Sequence, residues 1–174
     1  MSDRFAHNLR LDQIRDGARL DLIADDAELK ATGKRLGLAS LSRLEAHVTL
    51  SRTADVVRAE GRLVANLEQS CVVTGDPLPA HVDEAFALLF TPEPPVGGPD
   101  EEIELGESDC DVVFHDGAAI DLGGAIADTL ALSLDPYPRS ADADAALKEA
   151  GVLDEGKAGP FAALAELKKR FDNP

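Results

Sequence analysis

Hydrophobic and polar residues alternate through much of the first ninety positions, and this period of two predicts β-strands. The clearest series covers residues 44–50, where Leu, Ala, Val and Leu alternate with Glu, His and Thr. After a turn at residues 53–55 the alternation resumes from Val57 to Val73, and a third series runs from Leu78 to Phe90. Strands joined by short turns predict an antiparallel meander with one buried face.

Shorter alternating segments predict three further strands. They cover Phe5 to Leu11, Ala18 to Ile23 and Asp111 to His115. Within the long second series of the meander, Gly61 stands where an apolar side chain is expected. A residue without a side chain at such a position indicates a β-bulge or a close approach of another part of the chain.

A period close to four predicts helices outside these strands. Asp25 and Glu28 have the spacing of a capping box, which predicts a helix from Asp26 to Leu36. Asp121 can cap a second helix through the amide of Gly123 or Gly124. The apolar stripe of that helix ends at Pro136 and consists of Leu122, Ile126, Leu130 and Leu134. Residues 145–150 predict a third, short helix.

These elements predict an α+β fold, in which an antiparallel sheet, able to curve into a partial barrel, packs against helices. We expect one domain over residues 1–155, with an acidic loop at about residues 91–109. Residues 156–174 form an amphipathic helical pattern that either docks on the domain or acts as a tethered recognition element.

The formal net charge of -16 is unevenly distributed along the chain. Residues 1–71 contain eleven basic and eleven acidic residues, so the remaining six basic and twenty-two acidic residues carry the whole imbalance. An acidic surface repels nucleic-acid phosphates and attracts basic proteins. Extended RNA binding is therefore disfavoured. The alternative to a role in attracting basic proteins is that the acidic charge only keeps the protein soluble.

The composition also bears on the compartment. No apolar run reaches the ~20 residues that a membrane helix needs, and the first residues lack the pattern of a signal peptide. Cys71 and Cys110 are the only two cysteines, too few for a disulfide framework. We expect a cytoplasmic protein with reduced thiols and no cofactor.

Cys71 is the first candidate for chemistry, because His81 and Asp83 follow it closely enough to suggest a catalytic triad. The strand pattern argues against this interpretation, since it places Cys71 on the apolar face and His81 and Asp83 on the polar face. The cysteines and histidines also lack the spacing of a zinc site. A small enzyme or a metal-binding module, at Cys71 or in the acidic cluster, stays open only as an alternative.

Three short segments carry a resemblance to a known family: CVVTGDPL from Cys71, LDPYPR from Leu134 and GPFAALAELKKR from Gly159. In this order they resemble the YceD family of bacterial proteins, which is linked to accumulation of large-subunit ribosomal RNA. Many members read Cys-x-x-Cys followed by Glu-Pro in the first segment. Here Cys71 is kept, Thr74 replaces the second cysteine, and Asp76-Pro77 corresponds to the acidic-Pro pair. The resemblance implies ribosome production rather than a reaction.

The predicted function is therefore that of a non-enzymatic ribosome biogenesis factor that binds a basic ribosomal protein or a large-subunit assembly factor. Candidate contact residues come from three places. Tyrosine and arginine are enriched at binding hot spots, an acidic stretch attracts basic partners, and an amphipathic helix supplies an apolar face. These residues are Asp135, Tyr137 and Arg139; Glu101, Glu102 and Glu104; and Phe161, Leu164 and Lys168. The motif of Cys71, Thr74, Asp76 and Pro77 has no assigned role.

Direct binding of ribosomal RNA by the neutral first part of the chain is the other alternative. It would use arginines gathered into one stripe on the folded surface, and would lose its basis if they were paired with acids. The arginines concerned are Arg35, Arg43, Arg52, Arg58 and Arg62.

Overall fold

The computed structural model describes residues 3–5, 8–93 and 111–152. The predictions for Glu101, Glu102 and Glu104 and for the segment after residue 152 lie outside these ranges and stay predictions. Helices α1, α2 and α3 are Asp26–Arg35, Leu122–Leu132 and Ala143–Glu149. Strands β1 to β8 are Asp3–Arg4, Asn8–Arg10, Ala18–Ile23, Ser40–Thr53, Val56–Ser70, Pro77–Pro92, Asp111–His115 and Ala119–Asp121.

Six of the strands form one sheet in the order β1-β3-β4-β5-β6-β7. The predicted sequence of three long strands lies at its centre, and the α+β class is confirmed. Within the described residues the sheet is not closed, with β1 and β7 at its two ends. Both end strands pair in parallel, β1 with β3 and β7 with β6, so the sheet is mixed rather than purely antiparallel.

The alternation of the central strands is confirmed by their burial. Leu44, Ala46, Val48 and Leu50 of β4 are buried on one face, and the apolar positions of β5 and β6 join them in one core. Helix α2 closes this core with its predicted stripe, since Leu122, Ile126 and Leu130 are fully buried. Burying apolar surface between a sheet and a helix is the main force that stabilises such a layer.

The predicted caps of the first two helices are present. The Asp25 carboxylate accepts hydrogen bonds from the amides of Ala27 and Glu28, and the Glu28 carboxylate accepts one from the Asp25 amide, which completes a capping box. The Asp121 carboxylate accepts a hydrogen bond of 2.9 Å from the Gly124 amide at the start of α2. Both helices therefore begin where the sequence predicts.

Several predicted boundaries are wrong. Of the opening strand predicted from Phe5 to Leu11, β2 covers Asn8–Arg10, Leu11 lies in a 3-10 helix, and β1 precedes the predicted range. Strand β2 pairs with β8 in a separate two-stranded sheet. The alternation of polar and apolar residues did not predict this pairing. Strand β5 ends at Ser70, so Cys71 follows the strand rather than belonging to it. Helix α3 begins two residues before its predicted start.

The chain divides by its internal packing into two compact units. The first contains Met1–Gln69 and Pro79–Pro136, and includes most of the sheet, α1 and α2. The second contains Ser70–Leu78 and Tyr137–Pro174. Its described part comprises the turn between β5 and β6 with the adjoining strand ends, and residues 137–152, which include α3. The predicted domain boundary near residue 155 lies outside the described residues.

Candidate functional site: the Cys71 turn

The turn that follows β5 is closed by hydrogen bonds of the Cys71 main chain. Its amide donates to the Asp76 oxygen at 2.8 Å, and its oxygen accepts from the Gly75 amide at 2.9 Å. Gly75 has a φ of 76°, in the left-handed region that a glycine enters without strain. The turn chemistry predicted for Thr74 to Pro77 is confirmed, because this conformation brings Asp76 back to Cys71.

The segment from Tyr137 to Ser140 packs against this turn inside the second unit. The Val72 amide donates a hydrogen bond of 2.9 Å to the Pro138 oxygen. The Ser140 amide donates to the Cys71 sulfur at 3.3 Å, and the Ser140 hydroxyl lies 3.5 Å from the same atom. The segments that begin at Cys71 and Leu134 thus meet through Val72 and Pro138. Ser140, which follows the second segment, contacts Cys71 from 69 positions away.

Hydrogen bonds to sulfur determine the ionisation of Cys71. The side chains of Thr74 and Ser140, followed by the amides of Ser140 and Thr74, stabilise the thiolate and lower the pKa of Cys71 from 9.0 to about 6. The side chain is only 3% exposed, so the sulfur is an acceptor inside the turn rather than an open nucleophile. Ser140 was missed by the sequence analysis, because nothing in its spacing marks it as a partner of Cys71.

Tyr137 and Arg139 lie beside this turn. The Tyr137 side chain is 74% exposed, and its role as a contact residue stays a prediction. The Arg139 guanidinium lies 2.8 Å from the Asp144 carboxylate of α3. Asp135, the third predicted contact residue of LDPYPR, belongs to the first unit, where its main-chain oxygen accepts a 2.8 Å hydrogen bond from the Gln69 side chain.

The imagined triad partners of Cys71 make other contacts. His81 Nδ1 lies 2.7 Å from the Asn66 side-chain oxygen, and the Asp83 carboxylate lies 2.5 Å from Arg62 Nε. The Arg62 guanidinium lowers the pKa of Asp83 through this hydrogen bond. Four surface depressions border α1, α2 or β8, and Cys71 lines none of these four. Throughout the described ranges, no group of three His, Cys, Asp or Glu residues could hold a metal ion.

The arginines considered for RNA binding are engaged by acidic groups or by the main chain. Arg43 and Arg58 each pair with a glutamate two positions along their own strand, at 2.7 Å. Arg62 pairs with Asp83, and Arg35 lies 3.2 Å from Asp128. Arg52 donates to the main-chain oxygens of Ala54 and Leu11. They do not form a stripe of unpaired positive charge.

Comparison with known protein families matches residues 59–168 to a family described as Large ribosomal RNA subunit accumulation protein YceD. The match covers more than half of the chain, and includes the Cys71 turn and the segment that packs on it. The chain belongs to the YceD family. Comparison with curated proteins and with solved structures finds no match.

The family description assigns YceD proteins to large-subunit ribosomal RNA accumulation and names no reaction. In this YceD protein the position of the expected second cysteine is held by Thr74, whose amide lies 3.5 Å from the Cys71 sulfur. The turn is therefore closed by hydrogen bonds around one sulfur. No helix in the described residues is both long enough and apolar enough to pass through a membrane.

Proposed function

We propose that this protein is a non-enzymatic ribosome biogenesis factor that supports large-subunit ribosomal RNA by binding a basic ribosomal protein or assembly factor. The family match supports the ribosomal process, and the protein partner is our inference. The protein would act as an acidic carrier or adaptor during assembly, with no chemical step of its own.

One observation carries the choice of a protein partner over RNA. Four arginines of the neutral first part, Arg35, Arg43, Arg58 and Arg62, lie within 3.2 Å of a carboxylate. Nucleic-acid affinity comes from cations that replace the counterions of phosphates, and an arginine already paired with a carboxylate contributes little to it. The net charge of -16 favours a basic protein as the partner.

The second unit supplies the more specific part of the proposed contact. Tyr137 and Val72 are both largely exposed there, and the hydrogen bond from Val72 to Pro138 holds their main chains together. Prolines at 136 and 138 restrict the chain on both sides of Tyr137, which reduces the entropy lost on binding. A partner would therefore meet an aromatic anchor on a preorganised loop.

The primary test is the ratio of large- to small-subunit ribosomal RNA, together with gradient sedimentation, in cells depleted of this protein. We expect a selective loss of large-subunit RNA that the intact protein restores. An unchanged ratio would overturn the proposed function.

The acidic stretch allows a direct test of the electrostatic contribution. Charge reversal of Glu101, Glu102 and Glu104 to lysine should weaken capture of a basic large-subunit protein, and should flatten the dependence of binding on salt. Binding measured over a salt series decides this, with the intact protein as reference. Equal affinity and equal salt dependence would remove electrostatics from the proposal.

A further inference from the structure

Strand β7 is the terminal strand of the six-stranded sheet in the described part of the chain. It pairs in parallel with β6 along Leu88 to Pro92, which uses one of its two edges. An edge strand carries a row of main-chain donors and acceptors that can pair with another extended chain. The opposite edge of β7 is therefore a potential docking edge.

The hydrogen bonds identify which groups of β7 point to that edge. The main-chain oxygen of His115 accepts from the Glu93 amide at 3.2 Å, so the main chain of His115 faces the side of β6. In a strand the N–H and C=O of one residue point to one edge, and those of the next residue point to the other. The main chains of Val112 and Phe114 therefore point away from β6.

The side chains of the same two residues lie exposed on the outer face of the sheet. Val112 is 39% exposed and Phe114 is 55% exposed, although both are large and apolar. Val113, between them, points to the other face and packs against the core. An exposed apolar pair on an edge strand fits a partner that adds both a strand and apolar side chains.

On the face of Val113, a groove of about 230 Å³ separates β7 from α2. Its apolar lining includes Leu88, Val113 and Leu132. Leu132 lies at the end of α2 and is 79% exposed. The groove can therefore take the aliphatic part of a long side chain from a strand added to β7.

The charged lining of the groove is acidic. It consists of Asp111, Asp121 and Asp128 against the single cation of Arg35. Arg35 is already 3.2 Å from Asp128, and one oxygen of Asp121 accepts from the Gly124 amide. The lining thus keeps a net negative charge, which matches the ammonium or guanidinium group at the end of a lysine or arginine stem.

We propose that β7 and the adjoining groove form a docking site for an extended, basic segment of a partner protein. The segment adds as a strand to the edge presented by Val112 and Phe114. Its apolar side chains cover those two residues, and its alternate lysine or arginine side chains enter the groove toward Asp111. This site rests on the proposed function, because that function supplies the basic partner.

The test uses the full chain and a synthetic eight-residue peptide that alternates lysine and valine. We expect the peptide to slow hydrogen exchange at the Val112 and Phe114 amides, and to lose affinity at least fivefold for Val112→Pro and for Asp111→Lys. Proline at 112 removes a donor from the docking edge and leaves the β6 hydrogen bonds intact. Glu149→Lys, an equal charge change on α3, serves as the matched control and should keep the affinity.

Several results would overturn the site. Equal affinity of Val112→Pro and the intact protein excludes strand addition, and equal binding of a glutamate–valine peptide excludes the acidic groove. Protection of the two amides in the free monomeric protein means that another part of the same chain covers the edge. Concentration-dependent dimerisation that Val112→Pro abolishes, without peptide binding, assigns the edge to a second copy.

The peptide measurement is separable from the cellular one. A protein that binds the peptide at β7, while its depletion leaves the ribosomal RNA ratio unchanged, keeps the docking site and loses the proposed function. A protein whose depletion lowers large-subunit RNA, but which ignores the peptide, keeps the function and loses this site.

Discussion

Gly61 shows how a single residue permits the pairing of two long neighbouring strands, β4 and β5. Gly61 pairs with Val48, and the register of β4 and β5 has no shift at this position, so Gly61 does not form a bulge. It marks a close approach of another part of the chain. A Cβ at this position would overlap the main-chain oxygen of His47 and press on the Phe86 ring. The irregularity between these strands lies instead between Leu41 and Arg43.

Replacing Gly61 by alanine should therefore lower the free energy of unfolding by about 1–3 kcal/mol, the usual cost of overpacking. Urea denaturation measures the change. Gly33→Ala is the matched control, because Leu41 lies at ordinary contact distance there and alanine favours the helix. Equal stability of the Gly61→Ala and intact proteins would show that the strands separate without cost.

Cys71 carries the second residue-scale prediction, which concerns pH. Its pKa is about 6 in the folded protein and near 9.0 when the hydrogen bonds of Thr74 and Ser140 are absent. Between these values the unfolded chain binds the proton and the folded chain does not, so the contribution of Cys71 to stability rises with pH. That contribution is complete above about pH 9 and is lost as the pH falls through about 6.

Ser140→Ala should raise the pKa of Cys71 and reduce this dependence of stability on pH, because one donor to the thiolate is removed. Ultraviolet absorbance of the thiolate, followed in a Cys110→Ser background, reports the pKa. Cys71→Ser gives the baseline, since it removes the signal. An identical titration curve for Ser140→Ala would contradict the assigned role of Ser140.

At the scale of elements, α2 depends on a cap that excludes a side chain from its first turn. The Asp121 carboxylate accepts from the Gly124 amide, and a Cβ on Gly124 would overlap that carboxylate. Alanine is ordinarily better than glycine in a helix by about 1 kcal/mol. Here the gain in propensity and the loss of the cap oppose each other.

A double-mutant cycle separates these two effects. Gly124→Ala should stabilise the Asp121→Ala protein but should fail to stabilise the intact protein, giving a coupling of about 0.5–2 kcal/mol, the usual value of a helix cap. Thermal denaturation of the four proteins measures it. Additive changes would mean that the carboxylate moves aside and keeps its hydrogen bond.

Elements with a long, unbroken pattern of polar and apolar residues were predictable from the sequence. Elements whose pairing depends on residues distant in sequence were not. The alternation of β4, β5 and β6 and the caps of α1 and α2 depend on residues close in sequence, so the sequence alone locates them. The parallel pairing of β7 with β6 joins residues that are 23 positions apart, such as Leu88 and Asp111. No local pattern encodes that direction.

At the scale of the whole molecule, partner binding is the property that sequence and structure together make testable. Tyr137→Ala should weaken capture of a basic large-subunit protein tenfold or more, about 1.4 kcal/mol, and should leave thermal stability unchanged because the side chain is exposed. Val152→Ala, an exposed apolar residue of the same unit, is the control. Equal capture by the Tyr137→Ala and intact proteins would remove Tyr137 from the interface.

The charge distribution along the sequence differs from the charge pairing in the folded protein. The sequence shows a neutral first part, and it cannot specify the surroundings of the five arginines that were considered for RNA binding. The folded sheet brings Arg62 of β5 next to Asp83 of β6, and places Arg35 of α1 beside Asp128 of α2. Long-range pairing thus decides that these cations are occupied.

The sequence by itself determined the α+β class, the three central strands, the first two helix starts and the family resemblance. All of these follow from periodicity, capping or short motifs, which act over a few residues. Only the tertiary structure decided that Ser140 holds the Cys71 sulfur, that β7 is a parallel edge strand, and that Arg35 and Arg62 are paired with carboxylates. Each of those features needs residues distant in sequence to meet, and their contacts are set by the packing of the core rather than by local preference.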